Sequence, residues 1–213
     1  MQIEQYGADL VRIPGPRSEA TRAVMREVDQ GAVYASHAYL PFGLAGIATA
    51  AYEIWQQLGS IPGSVIAPVG HGGLLLGIMR GFAALQKAGL IETIPYYVGV
   101  QAQACAPAVS LYLKQFGKDV PVQEGTTLAE GVRVQQPVRA AAILAEMGRS
   151  GGEMVAIPED AILPAYQQAA GQGFHIEPTS ALAWAAMQFV KKDLPEPVVI
   201  ILTGSGLKYN PYS

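Results

Sequence analysis

The chain has 213 residues, half of them apolar, and 14 basic against 17 acidic side chains leave a formal net charge of −3. That much apolar surface in a chain of this length excludes disorder as the main state and can form a core without metals or disulfides. A pI near 5.6 with no basic cluster argues against a nucleic-acid partner, and the one cysteine, Cys105, cannot form an internal disulfide.

The N-terminal stretch MQIEQYGADLVR carries Glu4 and Asp9 and has no apolar run of signal-peptide type. Asp9–Ile13 reads as a strand and Ser18–Gln30 as a helix. Gly43–Leu58 places Ile47, Ala51, Ile54, Trp55 and Leu58 at three- and four-residue steps, the period of a helix with one apolar face. No charged residue lies between Glu53 and Arg80, but glycines, prolines and glutamines interrupt that window, so it reads as buried structure and not as a membrane span. Within it, Ser64–Val69 is a short apolar run bounded by glycine, as a buried strand requires. A helix over Leu74–Ala88 and a strand at Tyr96–Ala102 follow.

Further along, Ala106–Phe116 is helical and Val122–Val134 irregular. Pro137–Gly148 reads as a helix with Pro137 in its first turn, where a missing N–H does no harm. Met154–Pro158 is a strand, and Glu159 and Asp160 open the next helix at its positive end. Pro178–Val190 is helical, and Val198–Thr203 is the last strand. Strands separated by helices need crossover connections, which predicts an α/β fold: a three-layer parallel sheet with helices on both faces.

Ligands of such sheets bind beyond the carboxyl ends of the strands. Two of these ends are unusual. Gly70-His71-Gly72-Gly73 follows one strand and precedes a helix, so unobstructed backbone N–H groups and the helix terminus could hold a phosphate or other anion. The alternative is a tight turn that binds nothing. Leu75 stands where a dinucleotide fingerprint has its third glycine, and no Gly-Lys-Ser/Thr follows, so neither a Rossmann fingerprint nor a P-loop is present. The second end is Thr203-Gly204-Ser205-Gly206, either a hydroxyl-bearing contact to the same ligand or a polar turn.

Other chemistries lack their residues. His37, His71 and His175 are far apart and no metal-ligand spacing occurs, so no metal site is expected. No G-x-S-x-G elbow exists, and Cys105 between alanines reads as a buried, inert thiol. Glu177-Pro178-Thr179-Ser180 reads as the cap of the following helix, through Thr179 or Ser180. The charged fraction of 15% is low beside the roughly 25% of an ordinary domain. Either the surface is neutral and polar, or another domain or chain covers part of it.

Taken together, several stretches resemble the C-terminal portion of the fold type II (tryptophan synthase β-like) pyridoxal-phosphate enzymes, and within them the threonine synthase branch. These are Tyr52-Glu53-Ile54-Trp55, Pro68 to Gly77, Gly99-Val100-Gln101-Ala102-Gln103 with Cys105-Ala106-Pro107, Thr127 to Val132, Glu177 to Ala181, and Thr203 to Lys208. The resemblance implies pyridoxal 5'-phosphate as cofactor, its phosphate held by Gly70, His71, Gly72, Gly73 and Leu74. It places Thr203, beside Gly204, opposite the pyridine nitrogen, where a neutral hydroxyl leaves the ring less protonated than an aspartate would. His71 and Ala45 depart from the family pattern, where relatives often carry Gly or Asn, and Glu, respectively.

By the same resemblance, residues 1–42 are the remnant of a small N-terminal domain and residues 43–213 the large cofactor-binding domain. The family's Schiff-base lysine lies well before the glycine loop. The lysines here are Lys87, Lys114, Lys118, Lys191, Lys192 and Lys208, none before Gly70. No catalytic residue is therefore assigned, and Lys208 is expected to face solvent. The implied function is part of an amino-acid lyase or synthase converting O-phosphohomoserine to threonine, with the lysine supplied by a separate N-terminal half. The alternatives are a non-catalytic cofactor- or phosphate-binding module and a threonine/serine dehydratase-type eliminase. A small amino-acid substrate, an N-terminal partner chain or a homodimer, no membrane, and a cytoplasmic location complete the expectation.

Overall fold

The structure is a computed structural model that describes residues 2–15, 17–40, 42–190 and 193–209. The chain divides into two compact units, Met1–Tyr39 and Leu40–Ser213. In the first, a single turn α1 (Gln2–Gln5) precedes helix α2 (Arg17–Asp29), close to the expected span. The strand expected at Asp9–Ile13 is not formed. Its backbone has no ladder partner and most of its side chains are exposed, so alternation alone does not hold it extended in a sheet.

The second unit runs α3 (Gly43–Leu58), β1 (Ser64–Pro68), α4 (Gly73–Lys87), β2 (Tyr96–Ala102) and α5 (Pro107–Lys114), then α6 (Ala140–Ser150), β3 (Glu153–Ile157), α7 (Glu159–Gly171), α8 (Pro178–Ala185) and β4 (Val198–Ile200). All strand pairs are parallel, in the order β3-β2-β1-β4. Every residue of β1 is buried, as expected of a central strand covered on both faces.

Strand alternation divides the core in two. Val65, Ala67, Val69 and Tyr97 point to one face and pack with α3, α4 and α6, through Ala51, Leu76, Phe82 and Ile143. Ile66, Val98, Val100 and Ala102 point to the other and pack with α7 and α8, through Ile162, Ala165 and Leu182. The three-layer α/β architecture read from the sequence is the one formed.

Three details differ from the expectation. Helix α6 begins at Ala140, so Pro137 lies ahead of it, and the Arg139 N–H donates to His71 O at 3.2 Å. Helix α8 ends at Ala185 and tightens into a 3-10 turn, Ala186–Gln188. Regular pairing of β4 stops at Ile200, although the Ile201 N–H still donates to Ile66 O at 2.9 Å.

Candidate functional site

The glycine loop leaves the carboxyl end of β1 and enters α4 directly. Gly72 is the N-cap residue at φ +88°, ψ +8°, a left-handed conformation that costs a side-chain-bearing residue about 1–2 kcal/mol. A Cβ there would also lie 2.5 Å from Ile143 Cδ1. No side chain caps α4. The leading N–H groups of its first turn, from Gly73 and Leu74, therefore have neither an intrahelical acceptor nor a capping oxygen, which is the arrangement that receives an anion. Leu74 itself is half-buried and Leu75 buried, which fixes the helix against the core.

Behind this loop a buried glutamine sets the strand ends. Gln101, on β2, is fully buried; its Nε2 donates to Val69 O at 3.0 Å, and its Oε1 accepts from the Ala108 and Val109 N–H groups at 2.8 and 3.2 Å. One side chain thus ties the exit of β1 to the start of α5. The Val69 N–H donates to Val100 O at 2.8 Å, holding the same junction from the backbone.

The last-strand loop lies beside it. Ser64, Val65 and Ile66 of β1 pair with Val198, Val199 and Ile200 of β4. The Ile201–Ile66 bond continues that register one residue further, so the chain runs on toward Thr203 at the same end of the sheet as the exit of β1. The bends near Gly72 and Thr203 therefore leave adjacent parallel strands on the same edge.

Two further segments close the edge between these bends. The irregular stretch after α5 ends in a 3-10 turn, Glu130–Val132. A Cβ on Gly70 would lie 2.9 Å from Gly131 O, and a Cβ on Gly131 would lie 2.7 Å from Thr179 Oγ1. The backbone of the 3-10 turn is thus wedged between the glycine loop and the start of α8.

Glu177, Thr179 and Ser180 do not serve as helix caps: α8 has Glu177 as N-cap residue and no side-chain cap bond. Instead the Ser180 hydroxyl donates to Thr203 O, and its Oγ lies 3.1 Å from Thr203 Oγ1. Thr203 Oγ1–H has Glu177 Oε1 as acceptor at 3.3 Å. Gly204 is left-handed at φ +44°, and a Cβ there would overlap the Glu177 carboxylate. The Glu177 N–H donates to Gly204 O at 3.3 Å, and an antiparallel bridge joins Ile176 to Ser205.

Glu177 and Ser180 are the site residues that reading by position missed. Their signal was present: an acid and a hydroxyl on the segment that must return to the sheet edge just before the last strand. Their local sequence fits a cap equally well, and a 23-residue separation hides the partner.

Cys105 is fully buried, and burial, reinforced by the charge of Glu124 and opposed by Arg133, pushes its thiol above its ordinary pKa. A buried thiol held in its protonated form is a poor nucleophile. Glu159 accepts from the Ala104 N–H at 3.1 Å, so this acid ties α7 to the end of β2. Among the described residues no group of three or more His, Cys, Asp or Glu could hold a metal. The side chain of Lys208 lies outside the described residues.

A three-layer parallel sheet with an uncapped glycine loop and a hydroxyl on neighbouring strand ends defines an α/β protein with two polar bends on one sheet edge. Residues 1–204 match the family model of the pyridoxal-phosphate dependent enzymes, and the chain belongs to that family, whose cofactor is pyridoxal phosphate. The chain is 32% identical to the threonine synthase of Methanocaldococcus jannaschii over 209 residues, which is 95% of this chain and 52% of that protein. It is also 32% identical to the threonine synthase of Synechocystis sp., over 95% of this chain and 52% of that one. The chain spans about half the length of these curated relatives and matches their C-terminal portion.

Among solved structures, a threonine deaminase of T.th. superposes with a TM-score of 0.73 at 25% identity, covering 98% of this chain and 66% of that one. A threonine deaminase of Solanum lycopersicum gives 0.71 at 26%, covering 97% and 55%. A fungal L-serine ammonia-lyase from Rhizomucor miehei shares the fold, with a TM-score of 0.74 at 19% identity over 96% of this chain and 64% of that one.

The residues present fit the cofactor. Free backbone donors and a backbone bend that no side chain could share stand at one end of the site. A hydroxyl backed by a carboxylate stands at the other.

Proposed function

We propose that residues 43–213 form the cofactor-holding domain of a threonine-synthase-like enzyme acting on O-phosphohomoserine, and that residues 1–42 continue a small N-terminal domain. When bound, pyridoxal phosphate draws electrons from the α-carbon of an amino acid, which is what elimination and replacement at the β- and γ-carbons need. The Gly70, His71, Gly72, Gly73 and Leu74 backbone binds the phosphate, the α4 terminus adds positive potential, and Thr203 with Gly204 positions the ring. The observation that carries this reading is the placement of both bends on adjacent parallel strand ends.

The lysine comes from an N-terminal half. Three facts favour such a cover. The chain spans about half of its relatives. The edge bearing the two bends exposes Leu128, Val138 and Leu207. The strand β4, outermost in the described sheet, is only half-buried. Exposed apolar groups clustered on one edge suit an interface.

Addition of pyridoxal phosphate, borohydride reduction and peptide mass spectrometry test the assignment. The chain alone should give no stable lysine adduct, and the chain mixed with a lysine-bearing N-terminal half should give one on that half. An adduct on Lys208 in a fully active lone chain overturns the partner requirement. Cofactor binding without turnover in the mixture would identify a non-catalytic module.

A second reading, elimination from threonine or serine, is favoured by the superposition on threonine deaminase at 25% identity. Turnover of O-phosphohomoserine but not of threonine or serine selects the first reading, and the reverse selects the second.

A further inference from the structure

Helices α4 and α5 leave the neighbouring strands β1 and β2 at the same sheet edge, yet their first turns differ. Helix α5 opens with Pro107, which has no N–H, and its next two donors, from Ala108 and Val109, both go to Gln101 Oε1. The Ser110 N–H then bonds Ala106 O, so the first turn of α5 is closed. Helix α4 has no side-chain cap and keeps its Gly73 and Leu74 donors open.

The Gln101 amide fits in one orientation only. Val69 O can only accept and the two α5 N–H groups can only donate, so the amide nitrogen must face Val69 and the oxygen α5. The side chain is wholly buried, and three bonds fix it. Val69 immediately precedes the glycine loop. Its carbonyl is held by Gln101 and its N–H by Val100 O, so Gly70 to Leu74 start from a fixed point. A loop already ordered before its ligand arrives loses less freedom on binding.

From these bonds we infer that Gln101 is a positioning residue for the cofactor phosphate: it closes the α5 terminus and holds Val69 so that the glycine loop presents its backbone N–H groups already arranged for a dianion. It touches no ligand itself. The inference rests on the cofactor-holding reading above and adds to it a buried residue that sets affinity at the phosphate end.

The test is calorimetric titration of the full chain with pyridoxal phosphate, with inorganic phosphate and with pyridoxal, which lacks the phosphate. The parent is compared with Gln101→Met and with Ile162→Ala, a core truncation on the other face of the sheet that controls for lost stability alone. Circular dichroism confirms that each variant is folded at the titration temperature. Gln101→Met should weaken pyridoxal phosphate and inorganic phosphate by the same factor, about tenfold, and leave pyridoxal unchanged. Ile162→Ala should bind all three as the parent does. If Gln101→Met does not fold, Gln101→Glu takes its place, measured above the titration of its own carboxyl as followed by carbon NMR. That carboxylate still accepts from α5 but has no hydrogen for Val69 O, so the same selective loss is expected. Unchanged phosphate affinity in the folded variant, an equal loss for pyridoxal, or an equal loss in Ile162→Ala overturns the inference and leaves the cofactor-holding reading intact. A parent chain that binds neither pyridoxal phosphate nor inorganic phosphate overturns both.

Discussion

At Tyr97 the chain buries a phenol whose hydroxyl has no hydrogen-bond partner. A buried hydroxyl without a partner lowers stability, so Tyr97→Phe should raise the unfolding free energy by about 1 kcal/mol at pH 7, measured in urea. Burial, and then the charge of Glu146, pushes this phenol above its ordinary value of 10.0. The folded chain therefore keeps a proton that the unfolded chain loses. The stabilisation is complete below about pH 10, the unfolded value, and is lost as the pH rises above it. Stability of the parent chain should fall between pH 9 and 11, and Tyr97→Phe should flatten that fall; parallel profiles would show that Tyr97 is not the group responsible. Gln101→Leu makes the opposite case, because it strands Val69 O and two α5 N–H groups; a loss of about 2–3 kcal/mol is expected from the same measurement.

Helices α3 and α4 meet without side chains between them at one point. A Cβ on Gly81 would overlap Ala48 O and lie 2.6 Å from Ala51 Cβ. Gly81→Ala must push the helices apart, and a loss of about 1–3 kcal/mol is expected on thermal unfolding despite the better helix propensity of alanine. Elements of this kind were legible in the sequence. Gly43–Leu58 and Tyr96–Ala102 form with the expected bounds because apolar spacing is a local property. Asp9–Ile13 failed because a strand exists only with a partner, and no local pattern reports one.

For the whole molecule, the open side of β4 gives a prediction specific to single amides. The Ile201 N–H and Pro197 O point toward β1, so strand alternation turns the Val198 and Ile200 N–H groups outward. If the N-terminal half completes the sheet there, adding it should slow hydrogen exchange at Val198 and Ile200 while Ile201, already bonded, changes little. Equal protection of all three amides would indicate general stabilisation instead of strand addition.

From Gly43 onward, the order of strands and helices, the glycine bend after β1 and the hydroxyl after β4 were determined by the sequence, because periodicity and turn chemistry act over a few residues. Only the tertiary structure decided which strand ends adjoin, that Gln101 spans from Val69 to α5, and that Glu177 and Ser180 turn to Thr203 instead of capping their own helix. Those choices depend on which surfaces come together when the core forms, and hydrogen-bond donors and acceptors then pair across the chain by proximity in space.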